Sequence, residues 1–154
     1  MVVQALSYEE IALHDPDHFW ELHNGVLVEK PPMTDAHHVV LVRMAGQLFP
    51  QIDFDVYDLR INMTRLRLDQ DHYYIPDLAI IPVPGRLSLD DRTGNLEVFS
   101  NPLPFVSESW SPSTGRYDVL EKLPKYQERG DKEIWLLHPF RKEVQVSRRQ
   151  PDGT

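Results

Sequence analysis

The chain has 154 residues, no cysteine, and 24 acidic against 16 basic side chains, for a formal net charge of −8. That length suffices for one domain spanning residues 1–154, and the missing thiols exclude thiolate metal centres and cysteine nucleophiles while favouring a reducing, cytoplasmic setting. The acidity argues against a protein that coats DNA through its overall field, but not against an enzyme with a local basic rim drawn from residues such as Arg65, Arg116 and Lys125.

Met1–Leu6 lacks the basic start and apolar run of a signal peptide, and no apolar stretch approaches the ~20 residues of a membrane span, so a soluble protein is expected. Ser7-Tyr8-Glu9-Glu10 reads as a capping box, predicting a short helix that ends before Pro16. Phe19 to Lys30 reads as a hairpin turning at Asn24-Gly25, with Leu22, Val26 and Val28 as its apolar contacts. Thr34 or Asp35 can cap a helix from Ala36 to about Phe49, where Val40, Leu41, Met44, Ala45 and Leu48 recur at helical spacing. Asp55 to Leu68 favours strand with a bend near Asp58, and Asp69–His72 is a turn.

Tyr73 to Val83 is a near-continuous apolar run broken by Pro76-Asp77, which predicts a strand covered on both faces. A polar connection follows from Pro84 to Asn101, then a strand over Leu103–Trp110. Ser111–Gly115 is turn chemistry leading into a helix over about Tyr117–Glu128, with Leu120, Leu123 and Tyr126 on its buried side and a kink or break at Pro124. Gly130 ends that helix; Glu133–Leu137 reads as a buried strand and Lys142–Ser147 as an edge strand. The order predicts an α/β (α+β) fold, a central mixed β-sheet flanked by helices, assembled from the hairpin and three or four further strands.

Two acids stand in apolar surroundings on separate predicted strands. An unpaired buried carboxylate is costly, so Asp77 and Glu108 each need a cation, a metal or a wet cleft. Taken singly, either reads as an ion-paired acid at a strand end. Lys122 lies four residues after Asp118 on one side of a helix, which alone is an ordinary helix-surface pair. Together, two acids able to hold Mg²⁺ or Mn²⁺ and a lysine able to orient water make a phosphodiester-hydrolysis set. The chain has no phosphate-cradling glycine loop, no nucleophile elbow and no His-rich zinc spacing.

The succession Trp20–Glu29, His37, Tyr74-Ile75-Pro76-Asp77, Glu108 with Ser111–Thr114, Asp118, Lys122, Tyr126, Gly130 and Ile134–Leu137 resembles the Uma-type family. These are bacterial proteins assigned as endonucleases of the PD-(D/E)XK, restriction-endonuclease-like fold, and the likeness spans residues 7 to 149. The resemblance implies Asp77 and Glu108 as metal ligands and Lys122 as the displaced counterpart of a lysine expected at position 110, which here is Trp. It also implies assisting roles for Glu21 and His37, DNA as substrate, and a homodimer by analogy with restriction-type folds. This sequence departs from the pattern at Ser107 and Ser109 beside Glu108, at Pro124, and in a C-terminus shorter than relatives carry. The net acidity, Trp110, Pro124 and the short C-terminus motivate an alternative: a catalytically inactive binding or assembly module on the same fold.

Overall fold

A computed structural model describes residues 5–83 and 96–154. Helix α1 spans Ala5–His14 and precedes the hairpin of β1 (Trp20–His23) and β2 (Val26–Glu29). Helix α2 covers Asp35–Leu48, followed by β3 (Tyr57–Ile61), β4 (Arg65–Arg67), β5 (Tyr73–Tyr74) and β6 (Leu78–Pro82). After β7 (Val98–Phe99) and β8 (Phe105–Ser109) come a helical turn α3 (Gly115–Tyr117), a π-helical turn over Asp118–Lys122, and α4 (Leu123–Arg129). Strands β9 (Glu133–His138) and β10 (Glu143–Arg148) close the chain.

The strands form two five-stranded mixed sheets where the sequence order suggested one. The first runs β2-β1-β5-β4-β7 and the second β10-β9-β8-β6-β3. Two predicted strands are each cut in two by this division. The stretch from Asp55 to Leu68 breaks at Asn62, where φ is +54°, rather than near Asp58, so β3 joins the second sheet and β4 the first. The Tyr73–Val83 run breaks at Pro76, sending β5 to the first sheet and β6 to the second. Proline offers no ladder donor, so a sheet boundary falls there at little cost.

Three apolar clusters fix the layers. Tyr8 and Ala12 of α1 pack on Leu22 and Tyr73 of the first sheet. Leu41, Met44 and Ala45 of α2 pack on Leu78 and Phe105 of the second. Between the sheets, Leu66 and Tyr74 meet Val106, Ile134, Leu123 and Tyr126, so α4 fills the wedge where the sheets diverge.

Other expectations fared unevenly. The hairpin turns at Asn24-Gly25 with both residues at positive φ, Thr34 caps α2, and Gly130 ends α4 in the left-handed region. Ser7 sits inside α1 and not at its cap, since the helix begins at Ala5. Val26 is exposed, leaving Leu22 as the hairpin's buried anchor. Leu120 is exposed as well, because the π-helical turn shifts the helix phase and brings Lys122 inward instead. Pro124, in the first turn of α4, supplies the cause: it removes a helical donor just where the wider turn ends. Of the predicted 84–101 connection, residues 84–95 lie outside the described residues, while Val98 and Phe99 pair in parallel with β4.

Candidate active site

The crossing from β5 to β6 organises the site. Leaving one sheet for the other strips Ile75 and Asp77 of their ladder partners, and buried backbone polar groups must be paired somehow. Carboxylates and an amine take that role. The Ile75 amide donates to Glu21 Oε1 at 2.7 Å and the Asp77 amide to Glu108 Oε2 at 3.3 Å. The Ile75 carbonyl accepts from Lys30 Nζ at 2.6 Å, and the Asp77 carbonyl from the Asn62 amide at 2.8 Å. The same side chains that satisfy the crossing therefore surround Asp77.

Glu21 reaches this point from β1, Glu108 from β8, His37 from the first turn of α2, and Lys122 from the π-helical turn. All five residues singled out in the sequence thus converge, and with Lys30 and Asp118 they line one cleft of ≈ 350 Å³. Lys122 Nζ lies 2.8 Å from Glu21 Oε1, 3.1 Å from Glu108 Oε1 and 3.6 Å from Asp118 Oδ1. Its ammonium also sits 5.6 and 5.3 Å from the Tyr74 and Tyr117 ring centroids, within cation–π range. Tyr126 donates its hydroxyl to Glu108 Oε1 at 2.7 Å.

Asp77 is held differently. His37 Nε2 lies 2.7 Å from Oδ2, which also accepts from the Ser109 amide at 2.7 Å. Lys30 Nζ lies 2.7 Å from Oδ1 as a charge contact, while its hydrogen bond goes to the Ile75 carbonyl. Oδ1 has the Lys30 ammonium against it and is otherwise buried.

These settings drive the two acids in opposite directions. Burial would raise both. For Asp77 the neighbouring Lys30 and His37 outweigh it and hold the carboxyl well below the usual range. For Glu108 burial wins over the pull of Lys122, reinforced by the negative charges of Asp77 and Asp118, and pushes the carboxyl up to about 8. Asp118 is raised for the same first reason, burial. Burial alone would lower Lys122, but Glu108, Glu21 and Asp118 overcome it and raise the amine.

A family model described as Uma2, "Putative restriction endonuclease", matches residues 6–154. The chain belongs to the Uma2 family. Among solved structures it is similar to one from Anabaena variabilis, described as "a putative nuclease belonging to DUF820". The two share 19% identity with a TM-score of 0.66, over 87% of this chain and 74% of that one. At that identity the likeness carries the fold, which is restriction-endonuclease-like α+β. No curated protein matches the chain.

For a Uma2 member, position 110 is informative. Trp110 stacks on His138 with centroids 4.2 Å apart and planes inclined 14°, and its indole occupies the space where a Cβ on Gly115 would lie. A lysine is thus absent from the strand, and the amines reaching the cleft come from the hairpin and the helix. Lys30 went unremarked in the sequence because it follows the hairpin beside Pro31-Pro32 and looks like a surface residue. Its signal was its place one residue past β2, on the strand that pairs with the one carrying Glu21. Tyr126 was readable as a buried helix residue and Asp118 as the residue four before Lys122, but neither spacing announced the bond to Glu108 or a place in the cleft.

Among the described residues, no three His, Asp or Glu side chains are spaced to enclose a metal unaided. The donors present are nonetheless of the right kind for a hard divalent cation. Two carboxylates line one cleft, and Asp77 Oδ1 is matched by a single ammonium, that of Lys30. Mg²⁺-type ions are commonly held by one or two carboxylates, with waters and substrate phosphate completing the shell.

Proposed function

We propose that this protein is a metal-dependent endonuclease that hydrolyses DNA phosphodiester bonds, with Mg²⁺ or Mn²⁺ as its cation. The reading rests on one observation: Asp77 at the β5–β6 crossing and Glu108, Lys122, Glu21 and His37 from four separate elements line a single cleft. Asp77 and Glu108 would hold the cation. When bound, such an ion polarises a phosphoryl oxygen and acidifies a water.

The protein's own groups do the rest. His37 and the Ser109 amide fix Asp77 through Oδ2, while Oδ1 faces the Lys30 ammonium. Tyr126 and Lys122 orient Glu108, and Glu21 ties Lys122 to the crossing backbone. Lys122 also supplies positive charge near the developing phosphorane. We take one domain over 1–154, a homodimer and a cytoplasmic setting as its working form; no helix among the described residues is long and apolar enough to cross a membrane.

Plasmid cleavage by the purified protein with Mn²⁺ tests the assignment. Cleavage that survives in both Asp77→Ala and Glu108→Ala would remove it. A catalytically inactive binding or assembly module is favoured by a different observation, the full engagement of Lys122 by three carboxylates. That reading requires calorimetry to find no Mn²⁺ binding that depends on Asp77 or Glu108.

A further inference from the structure

Two lysines reach the cleft, and their surroundings differ. Lys122 is enclosed by Glu21, Glu108 and Asp118 and by two tyrosine rings. Lys30 meets one carboxylate, Asp77, at Oδ1, and one carbonyl, Ile75. Because Oδ2 of Asp77 already has His37 and the Ser109 amide, a cation approaching Asp77 has Oδ1 to bind, and there it meets the Lys30 ammonium. Two positive charges sharing one carboxylate oxygen repel strongly in a buried setting. Leaving Asp77 without any cation would be costly too, since a buried carboxylate needs a partner.

From this geometry we infer that Lys30 is the exchangeable cation of the site: it neutralises Asp77 until a divalent ion replaces it, and its released ammonium then contacts the substrate's phosphate. The inference rests on the nuclease reading and adds to it a competition and a substrate contact. A lysine suits the exchange because its ammonium is a compact charge on a flexible four-carbon stem, free to swing where a planar guanidinium would stay paired. Lys30 also stands just past the hairpin rather than inside the packed wedge, so its release from Asp77 costs the bond to the Ile75 carbonyl but none of the wedge's apolar contacts. Lys122 by contrast stays where it is, since moving it would strand three acids.

The test uses the whole chain carrying Lys30→Met, which keeps length and apolar stem, and Lys30→Gln, which keeps a donor for the Ile75 carbonyl. With Mn²⁺ alone, calorimetry should give affinities for both variants on the order of tenfold tighter than wild type, the scale of a modest coupling between two ligands. Without metal, the melting temperature of both should fall, because Asp77 loses its cation. At saturating Mn²⁺, cleavage should be slower in both despite the tighter ion. Equal or weaker Mn²⁺ affinity in the variants, with wild-type binding that still depends on Asp77, overturns the exchange and leaves the nuclease reading intact. Unchanged cleavage at saturating Mn²⁺ overturns the phosphate contact. If no protein binds Mn²⁺ through Asp77, both the nuclease reading and this inference fall.

Discussion

Asp77 and Glu108 are neighbours in one cleft, yet the regions around them are built on opposite terms. The Asp77 corner has three donors for one carboxylate: His37, Lys30 and the Ser109 amide. The Glu108 corner has one amine, Lys122, shared among three carboxylates, with Tyr126 adding a hydroxyl. One acid is accordingly driven down and the other up. Environments that push paired titratable groups apart are the usual means by which a site assigns different tasks to the same chemistry. Here Asp77 is the acid favoured as an anion, whereas Glu108 is the one that holds its proton to higher pH.

The comparison can be broken most directly through activity. Asp77→Ala should cost several kcal/mol of transition-state stabilisation, which is on the order of a thousandfold in cleavage rate. Plasmid nicking with Mn²⁺ reads it, and a loss under about tenfold would mean that Asp77 is not the main cation ligand. The next effect is structural and belongs to the other corner. Lys122→Met leaves Glu21, Glu108 and Asp118 buried around no charge, and breaking a buried pair in this way costs about 3–5 kcal/mol. Chemical denaturation should show that loss; a variant as stable as wild type would mean that the lysine does not hold the corner together.

The sharpest contrast lies in pH, measured with chelator present. Glu108 is raised in the folded protein, so up to its ordinary value of 4.5 both folded and unfolded chains hold the proton and nothing is lost. Between 4.5 and about 8 the folded chain keeps a proton that the unfolded chain has released, and stability falls as pH rises. Glu108→Gln should remove that slope, matching wild type near pH 4.5 and exceeding it by a growing margin, on the order of a few kcal/mol, towards pH 8. Asp77 runs the other way. Its depressed value gives stability that is present above 3.8 and lost as pH falls through the folded value. Asp77→Asn should therefore be less stable than wild type at pH 7. Melting curves for the two variants with the same sign at pH 7–8 would erase the distinction between the corners.

How much of this was legible beforehand depends on whether the signal was local. The hairpin at Asn24-Gly25, the α2 stripe and the Gly130 stop were readable, because each rests on φ preference or periodicity within a few residues. The division into two sheets was not. Pro76 announced an interruption, but whether a strand bulges or changes sheet depends on Glu21 and Glu108 arriving from elsewhere to take the freed amides. Asp77 and Glu108 stood out as acids amid apolar residues, whereas Lys30 looked like solvent-facing charge, since its partner lies forty-seven positions on, at the crossing between the sheets. The exposure of Leu120 was hidden for a third reason: a period of 3.6 cannot foresee a wider turn.

That wider turn leads to the smallest effect, at the start of the helix that presents Lys122. A Cβ on Gly115 would fall 1.7 Å from Trp110 Nε1 and 2.0 Å from Cδ1, so Gly115→Ala forces the indole off its stack on His138. Alanine favours a helix over glycine by roughly 1 kcal/mol, but forcing a packed ring to move costs about 1–3 kcal/mol. A net loss of about 1 kcal/mol is expected, with a change in tryptophan emission as the ring leaves its stack. Because Gly115 leads into the Glu108 corner, Lys30 and His37 should stay on Asp77, and the stability difference from wild type should not vary as pH falls from 3.8 towards the depressed folded value of Asp77. A difference that did vary there would show the two corners to be one coupled unit, and the contrast between them would have to be redrawn as a property of the whole cleft.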